Sequence, residues 1–563
     1  MSARLNHPLP LPAFILFAAL AVLHPPSHAQ GGASAPASGG EARAGVPAPG
    51  AQPRFDILEF IVLGDTVLGA AAIERAVYPF LGPQRTAADA EGARRALEKA
   101  YQDAGFLSVN VVLPPQRVDN AGGELRLQVV EAPVQKLRVT GAQYTLPSQV
   151  RAALPALAPG TVPNFNEMQE ELAAFARASA DREITPIIAA GEQAGSMNVE
   201  LKVQDTLPLH ASLELNNKQS QNTRAGRLEA SISYDNLFQR GHSVGANWFY
   251  APQRPSDANI LSLSYHLPLG GAGDRLFVTY THSDSNTPTP LGGATVSRGD
   301  TWRLRWRNEL PGLEGLNQAL TWGLTARDLQ DSNLNVAGVS IASPALRYPT
   351  FQASYELDLS GTGSGAGPAR STRLQADLTV SLEGLSRRRV DCFGTPRDQF
   401  ECKRSAAQPG FQLLGLSLAH REPMGRWSLN TRLQAQITDA PLAPSEQVVY
   451  GGQDSVRGYL EGEQAGDLGA ALRLELTTPS WQPADSLVLR AQAFYDRAVV
   501  RRLQALPSEV ARANMASAGL GLLLQSSFGL QGSLYWTRLL PSAGDPSASG
   551  RRQRWEFSLR QAF

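Results

Sequence analysis

From about residue 209 to its end the chain alternates apolar and polar side chains with a period of two. Leu261, Leu263, Tyr265 and Leu267 share one face of such a segment, and Ser262, Ser264 and His266 share the other. Trp302, Leu304 and Trp306 interleave with Arg303, Arg305 and Arg307. Leu374, Ala376, Leu378, Val380 and Leu382 alternate with Arg373, Gln375, Asp377, Thr379 and Ser381. Trp427, Leu429, Leu433 and Ile437 alternate with Ser428, Asn430, Arg432, Gln434 and Gln436. Successive side chains of a strand point to opposite faces, so each segment predicts a strand with one apolar wall and one polar wall. Each is about ten residues long, which is what a tilted strand needs to cross a bilayer.

A soluble sandwich also alternates. Two features favour a closed membrane barrel instead. The segments number about sixteen, and their connectors alternate short and long as in bacterial outer-membrane barrels. Short connectors span 268–274, 311–317, 421–425 and 526–529, with a longer one on the same side at 360–370. Long connectors span 283–299, 328–344, 386–408, 438–466 and 499–515. An even strand number returns both barrel ends to the side of the preceding segment. The last strand places Trp555, Phe557, Leu559 and the terminal Phe563 on one face, interrupted by Gln561.

Between 54 and 206 the spacing is mixed. Residues 55–62 read as a strand and 68–80 as a helix, and Thr86 with Asp89 forms a capping-box pattern in which Asp replaces the usual Glu or Gln. Ala93, Ala96, Leu97, Ala100, Tyr101 and Ala104 then line one helix face, Gly105 stops the helix, and strands follow at 107–113 and 124–131. A second copy opens with Leu137 and Val139, carries Met168, Leu172 and Phe175 on a long helix, and ends on the alternating Val199, Leu201 and Val203. The expected architecture is two tandem α+β domains, 54–133 and 134–206, followed by an all-β barrel at 207–563.

The first 29 residues read as an export signal. Arg4 and His7 precede an apolar stretch, 9–23, broken by Pro10 and Pro12, and Ser27, His28 and Ala29 place small residues at a cleavage point. The competing reading is a membrane anchor, for which about 15 residues is short. Residues 30–53, rich in Ala, Gly, Pro and Ser, cannot bury a core and read as a flexible linker. Formal charge is +0 and mean hydropathy −0.21, so there is no global basic field for nucleic acid. No later stretch of about 18 apolar uncharged residues exists, which excludes a bundle of membrane helices.

The two cysteines, Cys392 and Cys402, lie in one polar segment; an exported compartment permits a disulfide between them, against two unpaired thiols. No histidine stands near enough in sequence to complete a metal site, and the eight histidines show no metal-ligand spacing. Residues 361–365 are Gly-rich but lack the Lys-Ser/Thr ending of a phosphate loop. No catalytic constellation, metal or cofactor is expected.

One long connector holds Gly451-Gly452-Gln453-Asp454-Ser455-Val456-Arg457-Gly458-Tyr459, between the eleventh and twelfth predicted strands. Its Val-Arg-Gly-Tyr core resembles the signature of the superfamily of barrel-assembly proteins and two-partner secretion transporters. Phe494-Tyr495-Asp496-Arg497-Ala498 resembles the companion F-x-D-x-G pattern, with Ala498 in place of Gly. Residues 235–241, Asp-Asn-Leu-Phe-Gln-Arg-Gly, are similar to the family's first inner turn. Tyr101, Gly105, Phe106 and Val129-Val130-Glu131 resemble its polypeptide-transport-associated (POTRA) domains. Two such domains ahead of a barrel is the number carried by two-partner secretion transporters (the TpsB family, of haemolysin secretion/activation type). The terminal Phe563 resembles the signal read by the barrel assembly machinery.

The resemblance implies an outer-membrane transporter with periplasmic POTRA domains that capture an unfolded, TpsA-type exoprotein and pass it outward. Physical reasoning adds a lock. A long loop folded into a lumen must be anchored against its entropy, and Asp496 lies on the polar face shared with Phe494, Gln492 and Arg490. Arg457 is therefore expected to bond Asp496, with Val456, Gly458 and Tyr459 seating the loop; the alternative is a solvated Arg457 of little consequence. The edge strand Ser108, Val109, Asn110, Val111, Val112 and Leu113 either receives cargo main chain or merely completes its own sheet. Arg303, Arg305, Arg307 and Arg432 either keep the lumen cationic or pair with lumen carboxylates. A helix that plugs the pore in related proteins is not expected from the Pro- and Gly-rich 30–53. The competing function is an assembly factor for other barrels; a solute porin has no reason to carry the tandem domains.

Overall fold

Alternation of the kind seen beyond residue 208 can satisfy its backbone in a membrane only if the first and last strands meet, because lipid offers no partner to an open edge. In the computed structural model they do. Sixteen long antiparallel strands form a closed barrel, each paired with its neighbours in sequence, from Leu209–Asn216 round to Gln553–Ala562. The join pairs Ser212 with Ala562 and Asn216 with Ser558. The structure describes residues 54–563 except 117–121, 178, 271–272, 286–297, 314, 331–333, 337–338, 342–343, 361–368, 508–509 and 542–551. The expected export signal and linker, and most of the 360–370 turn, lie outside the described residues.

Leu261, Leu263, Trp302, Leu304, Trp306, Leu374, Leu378 and Leu433 are exposed on the strands, forming an apolar outer wall. The interleaved positions carry polar pairs: Ser354 with Asp377, Arg373 with Asp358, and Arg307 with Glu356. Several strands outrun the expected ten residues. Arg298–Leu313 and Leu316–Gln330 leave a tight inner turn, and Leu487–Arg501 with Arg512–Ser526 shortens the outer connector expected over 499–515. One inner turn carries a further short strand, Trp481–Ala484, paired with Leu487–Arg501.

The outer connectors are partly structured. Residues 382–410 contain helices Glu383–Ser386 and Gln399–Lys403 and a hairpin, Arg389–Cys392 with Thr395–Asp398. Cys392 and Cys402 are joined as a disulfide with Cα atoms 5.7 Å apart. Phe400 is wholly buried there against Tyr348, Phe411, Leu442 and Ala443.

Ahead of the barrel, strand Glu59–Leu63 runs parallel to Glu124–Val130, which pairs antiparallel with Asn110–Val112. The expected 55–62 strand is split, since Phe55–Ile57 pairs separately with Gly82–Arg85. Helix Ala87–Asp103 begins at the predicted capping box, Thr86 accepting from the Asp89 amide and Asp89 from the Thr86 amide. It buries Ala90, Ala93, Leu97 and Tyr101 on the sheet. The second sheet repeats the plan: Val134–Thr140 parallel to Met197–Asp205, with Arg182–Ala190 at the edge and helix Phe165–Arg177 packed over it. Phe55–Phe563 form one compact unit.

Candidate functional site

Outer connector six leaves the eleventh strand, Trp427–Thr438, and returns to the twelfth, Leu468–Thr477. Its middle turns into the barrel, where Val456, Arg457 and Tyr459 are buried. Arg457 and Asp496 are both 0% exposed. Nε and Nη2 of Arg457 donate to the two Asp496 oxygens at 2.7 and 2.8 Å, and the Arg457 amide adds a third bond at 3.1 Å. A planar guanidinium matches a carboxylate in this two-point fashion, which fixes orientation as well as charge. Arg457 also reaches Glu475 at 3.0 Å, and Arg473 bonds Glu475 at 2.9 Å, so two arginines and two carboxylates share one buried cluster. The Phe494 ring lies 3.6 Å from the guanidinium carbon and Tyr535 5.0 Å, giving the cation aromatic faces.

Gly458 has φ +88°, and a Cβ there would stand 2.7 Å from Thr537 Cγ2. Its amide donates to Glu556 on the last strand at 3.0 Å. Tyr459 packs with Val456, Ala471, Ala498, Val500, Met515 and Leu539, and its hydroxyl accepts from the Ala516 amide at 3.4 Å. Ala498, where the family pattern has Gly, is therefore a buried packing residue. All six residues singled out in the sequence (Val456, Arg457, Gly458, Tyr459, Phe494 and Asp496) meet in one place.

A model of the family "Haemolysin secretion/activation protein ShlB/FhaC/HecB" matches residues 195–310 and 360–524, and one of the ShlB-type POTRA domain matches 55–132. The chain belongs to this family. It is an outer-membrane transporter of the two-partner secretion class, with a POTRA region of the kind that is periplasmic in this family. The outer membrane transporter CdiB of Escherichia coli O6:K15:H31 (strain 536 / UPEC) is 26% identical over 442 residues, covering 76% of this chain and 69% of the relative. The heme/hemopexin transporter protein HuxB of Haemophilus influenzae (strain 86-028NP) is 21% identical, covering 74% and 70%. In fold, the structure of CdiB from Escherichia coli superimposes with TM-score 0.64 at 20% identity, covering 92% of this chain and 93% of that one. The structure of BamA from Haemophilus ducreyi lacking POTRA domains 1–3 gives 0.54 at 15%, covering 91% and 100%. The relatives are transporters, which points away from an enzyme.

The first inner turn of this transporter clasps the domain before it. Gln239 donates to the Tyr144 carbonyl at 2.8 Å and accepts from the Leu146 amide at 3.1 Å. Nearby, His210 lies 3.0 Å from Asp181 and 3.5 Å from Asp235. These three groups, far apart in sequence, are compact enough to hold an ion; the His210 Nε2 is hydrogen-bonded to Asp181 at 3.1 Å.

The predicted edge strand is shorter than expected. Only Asn110–Val112 is extended, because Val109 still belongs to a turn closed on the Phe106 carbonyl and is buried, while Leu113 packs on the core. Ser108 lies in the same turn, its hydroxyl buried. The Val111 carbonyl is taken by Arg94 at 3.0 Å. A longer edge escaped the sequence reading. Arg182–Ala190 pairs on one side only and exposes Ile187 by 46% and Ile188 by 41%. Of the four lumen arginines, Arg303 stands in register between Thr279 and Thr325, Arg307 pairs with Glu356 and Arg305 lies 5.7 Å from the Phe277 ring. Arg432 joins Arg373 and Arg421 on a recess of about 370 Å³ that also holds Asp358 and Glu475.

Proposed function

We propose that the chain secretes an exoprotein through its barrel, receiving it unfolded on tandem POTRA domains at 54–133 and 134–206. The buried Arg457–Asp496 pair carries this reading, because it holds a loop across the route that cargo must take. Two charges removed from water stay favourable only while each has the other, so losing one partner typically costs about 3–5 kcal/mol. That makes the pair a lock with a defined release. Cargo arriving as an extended chain finds edge strands to extend by main-chain bonding. Arg182–Ala190 is the more open of the two, since the Asn110–Val112 edge is short and partly occupied by Arg94. The polar lumen, with Arg373, Arg421 and Arg432 facing its recess, keeps the path wet.

Membership of the haemolysin secretion/activation family supports a secreted protein as the partner class. A general assembly role shares the barrel fold, and likeness to BamA speaks for fold alone. The two functions separate on deletion of this gene from its own host. Loss of one or a few surface-exposed or released proteins, with the remaining outer-membrane proteins unchanged, is the expected result; depletion of many barrel proteins overturns the proposal.

A further inference from the structure

The lumen loop is fastened a second time, at the outer mouth. Asp467, wholly buried, precedes the twelfth strand and ends the returning leg of connector six. Its Oδ1 accepts from Arg404 Nη1 at 2.7 Å, from the Leu442 amide at 2.9 Å and from Gln447 Nε2 at 3.1 Å. Its Oδ2 accepts from the Leu503 amide at 2.6 Å. Leu442 and Gln447 lie on the outgoing leg, so one carboxylate ties both legs together. Arg404, from connector five, donates to the carbonyls of Leu442 at 3.0 Å and Leu503 at 2.7 Å. The outgoing leg is further held through Glu446, which bonds Arg327 at 2.8 Å and Tyr348 at 2.6 Å on the barrel wall. Arg502 in connector seven donates to Ala465 on the returning leg at 3.0 Å.

None of these groups is hydrogen-bonded or ion-paired to Arg457, Asp496 or Glu475. The tip and the legs therefore rest on two separate buried ion pairs, one on strands of the lumen wall and one among the outer connectors. Arg404 follows directly on the helix Gln399–Lys403, which contains Cys402 and whose Phe400 is buried against Leu442 and Ala443. The disulfide to Cys392 ties that helix to the hairpin before it.

We infer that Arg404 and Asp467 are positioning residues that hold the legs of the lumen loop as a fixed collar, fastened by the Cys392–Cys402 disulfide, on which the tip alone moves when Arg457 and Asp496 part. The inference rests on the proposed lock, but its test uses no cargo. Intact cells bearing the full-length protein are treated with trypsin, and cleavage is mapped by mass spectrometry at two places: the collar, after Arg387, Arg404 and Arg502, and the tip, after Arg457.

Asp467→Asn raises collar cleavage about tenfold and leaves the tip site at the wild-type level. Asp496→Asn does the reverse. If Asp467→Asn fails to assemble, reducing the disulfide of assembled wild-type protein with a membrane-impermeant phosphine supplies the same reading, with collar cleavage rising and the tip protected. Unchanged collar cleavage after reduction overturns the inference. So does an Asp467→Asn protein whose tip is cut as readily as in Asp496→Asn.

Discussion

The Gln453 side chain, in connector six, donates to the Asn217 side chain at 3.3 Å, beside the join between the first and last barrel strands. The same Gln453 amide reaches the Phe557 carbonyl at 3.3 Å on the last strand. Direct strand pairing at the join ends at Asn216. Beyond it Asn217 acts as a surrogate strand, donating to the Trp555 carbonyl and accepting from the Phe557 amide, both at 2.9 Å. The tip of the lumen loop thus leans on the barrel's seam. The net contribution of such a bond is about 0.5–1.5 kcal/mol, and Asn217 makes two of them. Asn217→Ala is expected to speed hydrogen exchange of the Phe557 amide tenfold or more, measured by mass spectrometry in detergent. Amides of the fourteenth strand, Arg512–Ser526, should stay protected.

Gly458→Ala forces a side chain into a left-handed backbone and against Thr537 and Leu539. The backbone strain alone is about 1–3 kcal/mol. The expected result is a loop displaced at Gly458, seen as faster trypsin cleavage after Arg457 and a lower temperature of barrel unfolding on semi-native gels.

The clasp between the second α+β region and the barrel is expected to depend on pH. Asp205 accepts the Gln143 and Tyr144 amides at 2.8 and 2.9 Å, and Tyr144 in turn accepts from Gln239 on the first inner turn. Partial burial pushes the Asp205 carboxyl up, but these amides and Thr145 outweigh it and hold it below its ordinary 3.8. A depressed carboxyl contributes stability that is present above its unfolded value and lost as pH falls through its folded one. Protection of the Gln143 and Tyr144 amides should therefore hold above pH 3.8 and decline below it. Asp205→Asn should be weak at neutral pH and nearly flat with pH.

Charges placed on the open edge should repel an extended chain that docks there. Ile187→Glu with Ile188→Glu is expected to reduce exoprotein binding to the full transporter at least fivefold in a pull-down. Both positions are exposed, so stability should change by no more than about 0.5 kcal/mol. The same change at the exposed Tyr78 is the control.

Much of the fold was legible because it depends on local period. Trp302 to Arg307 could face lipid and lumen in only one register, and Thr86 with Asp89 announced the helix they cap. Arg182–Ala190 was missed because its sequence, Arg-Glu-Ile-Thr-Pro-Ile-Ile-Ala-Ala, breaks alternation and contains Pro186, which a strand tolerates at an edge. The pairing of Arg457 with Asp496 could be anticipated because Asp496 stands in the segment resembling the companion F-x-D-x-G pattern and shares the polar face of Phe494. Arg404 with Asp467, 63 positions apart, and Gly458 with Glu556, 98 apart, could not, since no periodicity relates residues brought together only by barrel closure.

In the proposed mechanism the Arg457–Asp496 pair governs passage through the barrel. This role is tested most directly by the amount of exoprotein released from cells carrying Arg457→Asp, normalised to transporter in the outer membrane. A fall of at least tenfold at equal transporter level is expected, with release recovering in part when Asp496→Arg restores opposite charges. Release at the wild-type level from Arg457→Asp alone would contradict it.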